Sequence, residues 1–91
     1  MRYTVKFTTR FKKDLKLAKK QGRNIEELFK VVEQLANGEK LDARYRDHQL
    51  NNMGGIRDCH IQPDWVLLYE YIDDVLLLIL HRIGSHSQLE L

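Results

Sequence analysis

Ninety-one residues, 43% hydrophobic and 31% charged, suffice for one domain with a single modest core, spanning 1–91, and not for two. The lone cysteine, Cys59, excludes an internal disulfide and points to a reduced, cytoplasmic setting as a small core residue. No stretch nears the roughly 20 apolar residues of a membrane span, and Met1-Arg2-Tyr3-Thr4-Val5-Lys6 lacks the apolar core of a signal peptide.

The formal net charge of +2 conceals an asymmetry, because residues 1–40 carry eleven Lys/Arg against five Asp/Glu and residues 41–91 carry four against eight. Residues 1–23 hold nine cations against Asp14 alone. Such a block is either a polyanion footprint or a solvated helix face.

In chain order, Tyr3, Val5 and Phe7 alternate with Thr4, Lys6 and Thr8, the period of a half-buried strand. Thr8 or Thr9 can cap the helix that follows, whose inner stripe is Phe11, Leu15 and Ala18. Lys12, Lys16, Lys19, Lys20 and Arg23 form a continuous cationic stripe on its other side, and Gly22 fits the stop. Asn24, with Glu27 in capping-box position, opens a second helix. Its apolar face is Ile25, Leu28, Phe29, Val32, Leu35 and Ala36, and Asn37-Gly38 supplies the terminator.

Residues 39–55 show no sustained period, so His48 falls in a loop, and Asn51-Asn52-Met53-Gly54-Gly55 reads as a turn. Three strands follow: Ile56 to Ile61, Trp65 to Ile72, and Val75 to Ile83. The last contains an unbroken apolar run that predicts cover on both faces. The order β-α-α-β-β-β predicts an α+β fold, with two N-terminal helices packed on one face of an antiparallel sheet. Connections as short as Gln62-Pro63-Asp64 and Asp73-Asp74 demand antiparallel neighbours. Ile56, Asp58 and His60 share one face of their strand, which leaves a polar face as the floor of a site.

His60 and Asp64 bracket one tight connection, and His86 follows Gly84-Ser85 near the chain end, where a loose tail is the ordinary expectation. Arg82 closes the last strand, as a phosphate clamp or an edge charge. His81 reads as structural, and Trp65 as a core anchor before a base-stacking platform. Zinc ligands arrive as tight pairs, and histidines at 48, 60, 81 and 86 do not, so no metal and no cofactor is expected. Histidines, a carboxylate and an arginine without metal can cleave RNA by in-line transfer. The lysine stripe would then hold a phosphate backbone.

Four ordered motifs carry a resemblance. They are Phe11-Lys12-Lys13-Asp14-Leu15-Lys16, Tyr45-Arg46-Asp47-His48-Gln49-Leu50, Arg57-Asp58-Cys59-His60-Ile61-Gln62-Pro63-Asp64-Trp65, and Arg82-Ile83-Gly84-Ser85-His86-Ser87. Through them the chain resembles YafQ-type toxins of the RelE/ParE toxin–antitoxin superfamily, nearly end to end. The resemblance implies an mRNA interferase, an endoribonuclease acting in the ribosomal decoding site without metal. It implies His48, His60, Asp64 and His86 as the acid–base and orienting set, Arg82 as the phosphate-stabilising cation, and Trp65 as a substrate-placing residue. Lys12, Lys13, Lys16, Lys19 and Lys20 would contact ribosomal RNA.

A DinJ/RelB-like antitoxin would neutralise the toxin, and operator DNA would be reached only through that complex. Which imidazole is base and which acid stays open. One departure is the ending Ser87-Gln88-Leu89-Glu90-Leu91, with Glu90 where such toxins often carry an aromatic. The alternative is a non-catalytic ParE-like toxin that binds DNA gyrase.

Overall fold

The computed structural model describes residues 1–50 and 54–91. Its elements are β1 (Thr4–Phe7), α1 (Thr9–Lys20), α2 (Ile25–Ala36), β2 (His48–Gln49), β3 (Arg57–Gln62), β4 (Trp65–Ile72), β5 (Leu77–Gly84) and α3 (His86–Leu89), with 3-10 turns at Ala43–Tyr45 and Asp73–Val75. The expected α+β class is what forms. Of the expected Asn51–Gly55 turn, Asn51, Asn52 and Met53 lie outside the described residues.

Both long helices start where side-chain oxygens meet free amides. Thr8 Oγ1 accepts from Phe11 N at 3.0 Å, and Asn24 Oδ1 accepts from Glu27 N at 3.1 Å. Only half of the expected capping box forms, because the Glu27 carboxylate turns away to the Tyr45 hydroxyl and Arg44. Gly22 and Gly38 then take φ of +72° and +74°, which stops each helix at little cost.

The strands order as β1-β5-β4-β3-β2 in one sheet. Three of the four pairings are antiparallel, but β1 lies parallel to β5. Hairpin length constrains only strands joined by a short turn, and β1 and β5 are separated by most of the chain. His48, expected in a loop, sits on a two-residue edge strand opposite Asp58. The third predicted strand starts late: Asp73–Val75 winds into a 3-10 turn, and Leu76 takes a φ of +52°. Val75 and Leu76 are therefore exposed, and along β5 Leu78 and Leu80 are buried while Leu77 and Ile79 are half-buried. The unbroken apolar run is thus not covered on both faces.

Phe11, Leu28, Leu35, Trp65, Leu67, Tyr69 and Leu80 fill the core between the helices and one sheet face. Burying each contributes about 1.5–3 kcal/mol. On the opposite face only Val66, Leu68 and Leu89 form a small cluster, flanked by Leu50 and Ile56. That second face is otherwise polar, and the site is built on it. Among the described residues no helix is long and apolar enough to cross a membrane.

Candidate active site

Register sets the floor of the site. His48 stands opposite Asp58, Asp58 opposite Leu68, and His60 opposite Val66, so His48, Asp58 and His60 share the face that carries Val66 and Leu68. The β3–β4 connection through Pro63 and Asp64 is tight, with a register shift between His60 and Gln62. It brings Asp64 round to the far end of β5.

There the expected loose tail is instead a helical turn. Ser85 accepts from Gln88 N at 3.1 Å and the Gln88 side chain accepts from Ser85 N at 2.8 Å, a complete capping box. Leu89 is buried against Val66 and Leu68. The turn is thereby pinned at both ends, and His86 leans back over β3.

Three of the expected residues meet there. His60 Nε2 lies 3.1 Å from His86 Nε2, and His86 Nδ1 lies 2.7 Å from Asp64 Oδ1, which also accepts the His86 amide at 3.0 Å. A carboxylate only accepts, so His86 carries a proton on Nδ1 and turns Nε2 towards His60. Those hydrogen bonds hold the Asp64 carboxyl below its usual range, the side-chain bond first and the amide second. Burial pushes the His60 ring below the ordinary imidazole value, countered by the nearby Asp58 charge. Burial thus favours the neutral form of His60.

Behind this pair His48 Nδ1 lies 2.9 Å from both the Arg46 carbonyl and Asp58 Oδ1. Its N–H is aimed at the carbonyl, so Asp58 Oδ1 is left without an aligned donor, and His60 Nδ1 also lacks a partner. Asp58 is 4% exposed, and burial raises its carboxyl while His48 and His60 pull it back. Sequence reasoning placed Asp58 on the His60 face but did not assign it to the site, because its burial follows from the β2 strand and the C-terminal turn.

Arg82, read as a phosphate clamp or an edge charge, is held by a carboxylate. Its guanidinium makes a two-pronged pair with Asp14 of α1, both contacts at 3.0 Å, and Asp14 also accepts the Ile83 amide at 3.2 Å. Beyond Phe7 the β5 edge has no strand beside it, and the carboxylate takes the vacant place.

Trp65, read from its residue pattern as a core anchor and placed at the substrate only by the resemblance, is 1% exposed and lies in the core. The first residue of β4 faces the helices, so the indole anchors the turn that carries Asp64. Arg23 stacks over its ring at 5.7 Å. His81 pairs with Glu70 at 2.9 Å, as a structural contact. Lys12, Lys13, Lys16, Lys19 and Lys20 are all exposed along α1. Among the described residues no group of three or more His, Cys, Asp or Glu side chains is arranged to hold a metal ion.

The site is thus two imidazoles in contact, one of them oriented by a carboxylate. A family model described as the bacterial toxin of type II toxin–antitoxin systems, YafQ, matches residues 3–91. The chain belongs to the YafQ toxin family. This YafQ-family chain is 37% identical over 87 residues to the mRNA interferase toxin YafQ of Escherichia coli strain B, covering 93% of this chain and 92% of that one.

Its fold matches the YafQ chain in a crystal structure of the E. coli DinJ–YafQ complex, with a TM-score of 0.88 at 36% identity over 96% of this chain and 97% of that one. A crystal structure of a metal-bound toxin from Helicobacter pylori matches with a TM-score of 0.91 at 39% identity, covering 96% and 98%. The family expected from the four motifs is the one found.

Proposed function

We propose that this protein is the toxin of a type II toxin–antitoxin pair, an endoribonuclease that cleaves mRNA in the ribosomal decoding site by general acid–base catalysis without metal. The observation that supports this most is the direct Nε2–Nε2 contact of His60 and His86, with Asp64 behind His86. The family's relatives named mRNA interferases carry the reaction class.

In the reaction, the 2′-hydroxyl oxygen attacks phosphorus and the bond from phosphorus to the 5′-oxygen breaks. His60 Nε2, neutral because burial disfavours its charge, takes the 2′-hydroxyl proton. His86 Nε2 gives a proton to the departing 5′-oxygen, with Asp64 facing the ring that carries positive charge. The products are a 2′,3′-cyclic phosphate and a 5′-hydroxyl. Each proton transfer contributes about 10²–10⁴-fold. His48 and Asp58 hold the far side of the floor. Arg82 reaches the phosphate only by leaving Asp14, and Trp65 serves the substrate by anchoring the Asp64 turn.

The α1 lysines dock on ribosomal RNA, an interaction that is salt-dependent. A DinJ/RelB-like antitoxin covers the toxin, and operator DNA is bound through that complex. The test is a programmed ribosome with toxin previously dialysed against a chelator. A message cut to 2′,3′-cyclic phosphate and 5′-hydroxyl ends, with His60→Ala and His86→Ala inactive, is the expected result. Intact message alongside gyrase-dependent DNA damage would overturn the proposal.

A further inference from the structure

We propose that Arg46 binds a backbone phosphate of the message strand in a cleft that opens beside His60, and so supplies charge that Arg82 does not offer. This inference rests on the proposed function and adds a substrate contact to it. The cleft has a volume of about 470 Å³ and is lined by Glu27, Arg44, Tyr45, Arg46, His60 and Gln62, among others. That lies within the range of pockets that take small ligands, roughly 300–1,000 Å³. It adjoins the reacting pair through His60, so a strand laid across the two imidazoles continues into it.

Of the arginines near the site, Arg23 lies over the Trp65 ring and three others are engaged by carboxylates. Arg44 pairs with Glu27 at 3.5 Å and donates to the Tyr45 hydroxyl at 2.7 Å. Arg57 pairs with Asp47 at 3.3 Å, and Arg82 with Asp14 at 3.0 Å. Arg46 is exposed, and among the described residues no carboxylate pairs with it. Its charge is near enough to bear on the His60 ring.

The backbone presents this side chain deliberately. Arg46 takes φ 50° and ψ 44°, a left-handed conformation that a non-glycine residue adopts only when its surroundings enforce it. Both neighbours enforce it. Tyr45 is buried and bound to Glu27, and Asp47 is held by Arg57 and the Tyr69 hydroxyl. The Arg46 carbonyl meanwhile accepts from His48. One residue thus orients His48 with its backbone and lines the cleft.

The experiment measures kcat/KM for cleavage of a ribosome-bound message over a salt series, with Arg46→Gln, Arg46→Asn, Arg46→Lys and His86→Ala in parallel. Asn tolerates the left-handed conformation, so that variant separates charge from loop geometry. Expected is a loss of about ten- to a hundredfold for Gln and Asn. Their dependence of log kcat/KM on log salt should be shallower by about 0.7, and Lys should keep the wild-type slope. On a message with a neutral methylphosphonate at each flanking position in turn, Arg46→Gln should cost nothing further at one of them.

Wild-type kcat/KM and slope in Gln and Asn would overturn the assignment. So would an undiminished Arg46→Gln loss on both neutral messages, which would place the interaction on ribosomal RNA. An active His86→Ala would instead sink the acid–base reading itself.

Discussion

Asp58 sits under the site with its charge facing two imidazoles. A buried carboxylate is costly, and here burial raises the Asp58 carboxyl while the neighbouring His48 and His60 rings oppose that rise only in part. The same interaction acts in reverse, since Asp58 favours the charged form of His60. Removing it lets burial act unopposed, so the acid limb of the pH–rate profile should move to lower pH in Asp58→Asn. An acid limb left in place, or moved upward, would show that Asp58 is not coupled to the group that titrates.

For Asp64 the sign is that of a depressed carboxyl. Its stabilising contribution is complete above the ordinary value of 3.8 and fades as pH falls through the lower folded value. Acidification through that value therefore weakens the tether that holds His86.

Among the elements, α3 has an importance out of proportion to its four residues. So short a helix has no stability of its own. It persists because Ser85 and Gln88 satisfy each other's backbone amides and because Leu89 reaches the small cluster on the open face. Leu89→Ala should cost about 2 kcal/mol, at the lower end for a buried leucine because this cluster is small and close to solvent. Cleavage should fall by a larger factor than stability, since His86 loses its placement. Thermal unfolding and single-turnover cleavage on the same samples check this, and a rate that tracks stability alone would contradict it.

The two long helices were legible because caps, apolar stripe and terminator agreed along each of them. The same local signals could not show that β1 runs parallel to β5, because that pairing is decided by how distant segments meet. Nor could they show that Ser85 starts a helix, a short motif whose reward lies in burying Leu89. Convergence of His60, Asp64 and His86 was expected from motifs. Burial of Asp58, capture of Arg82 by Asp14 and the left-handed Arg46 were not, because each depends on a partner far along the chain.

At the scale of the whole molecule, charge and chemistry are separated. The first helix presents five lysines to solvent, while the His60–His86 pair lies on the polar sheet face with Asp64 beside it. Docking and cleavage should therefore be separable. Replacing Lys12, Lys16 and Lys19 by Ala should weaken ribosome binding and flatten its salt dependence by about 0.7–0.9 for each phosphate left without a lysine. Cleavage of the bound complex at saturation should be unchanged. A saturated rate that falls with the lysines would join the two functions again.

The most direct measurement of the central arrangement is the pH dependence of single-turnover cleavage at saturating ribosome for wild type, His60→Gln and His86→Gln. A base and an acid facing one another predict a bell for wild type, loss of the acid limb in His60→Gln and loss of the alkaline limb in His86→Gln. Both variants keeping the full bell would contradict the account, because proton transfer would then belong to other groups.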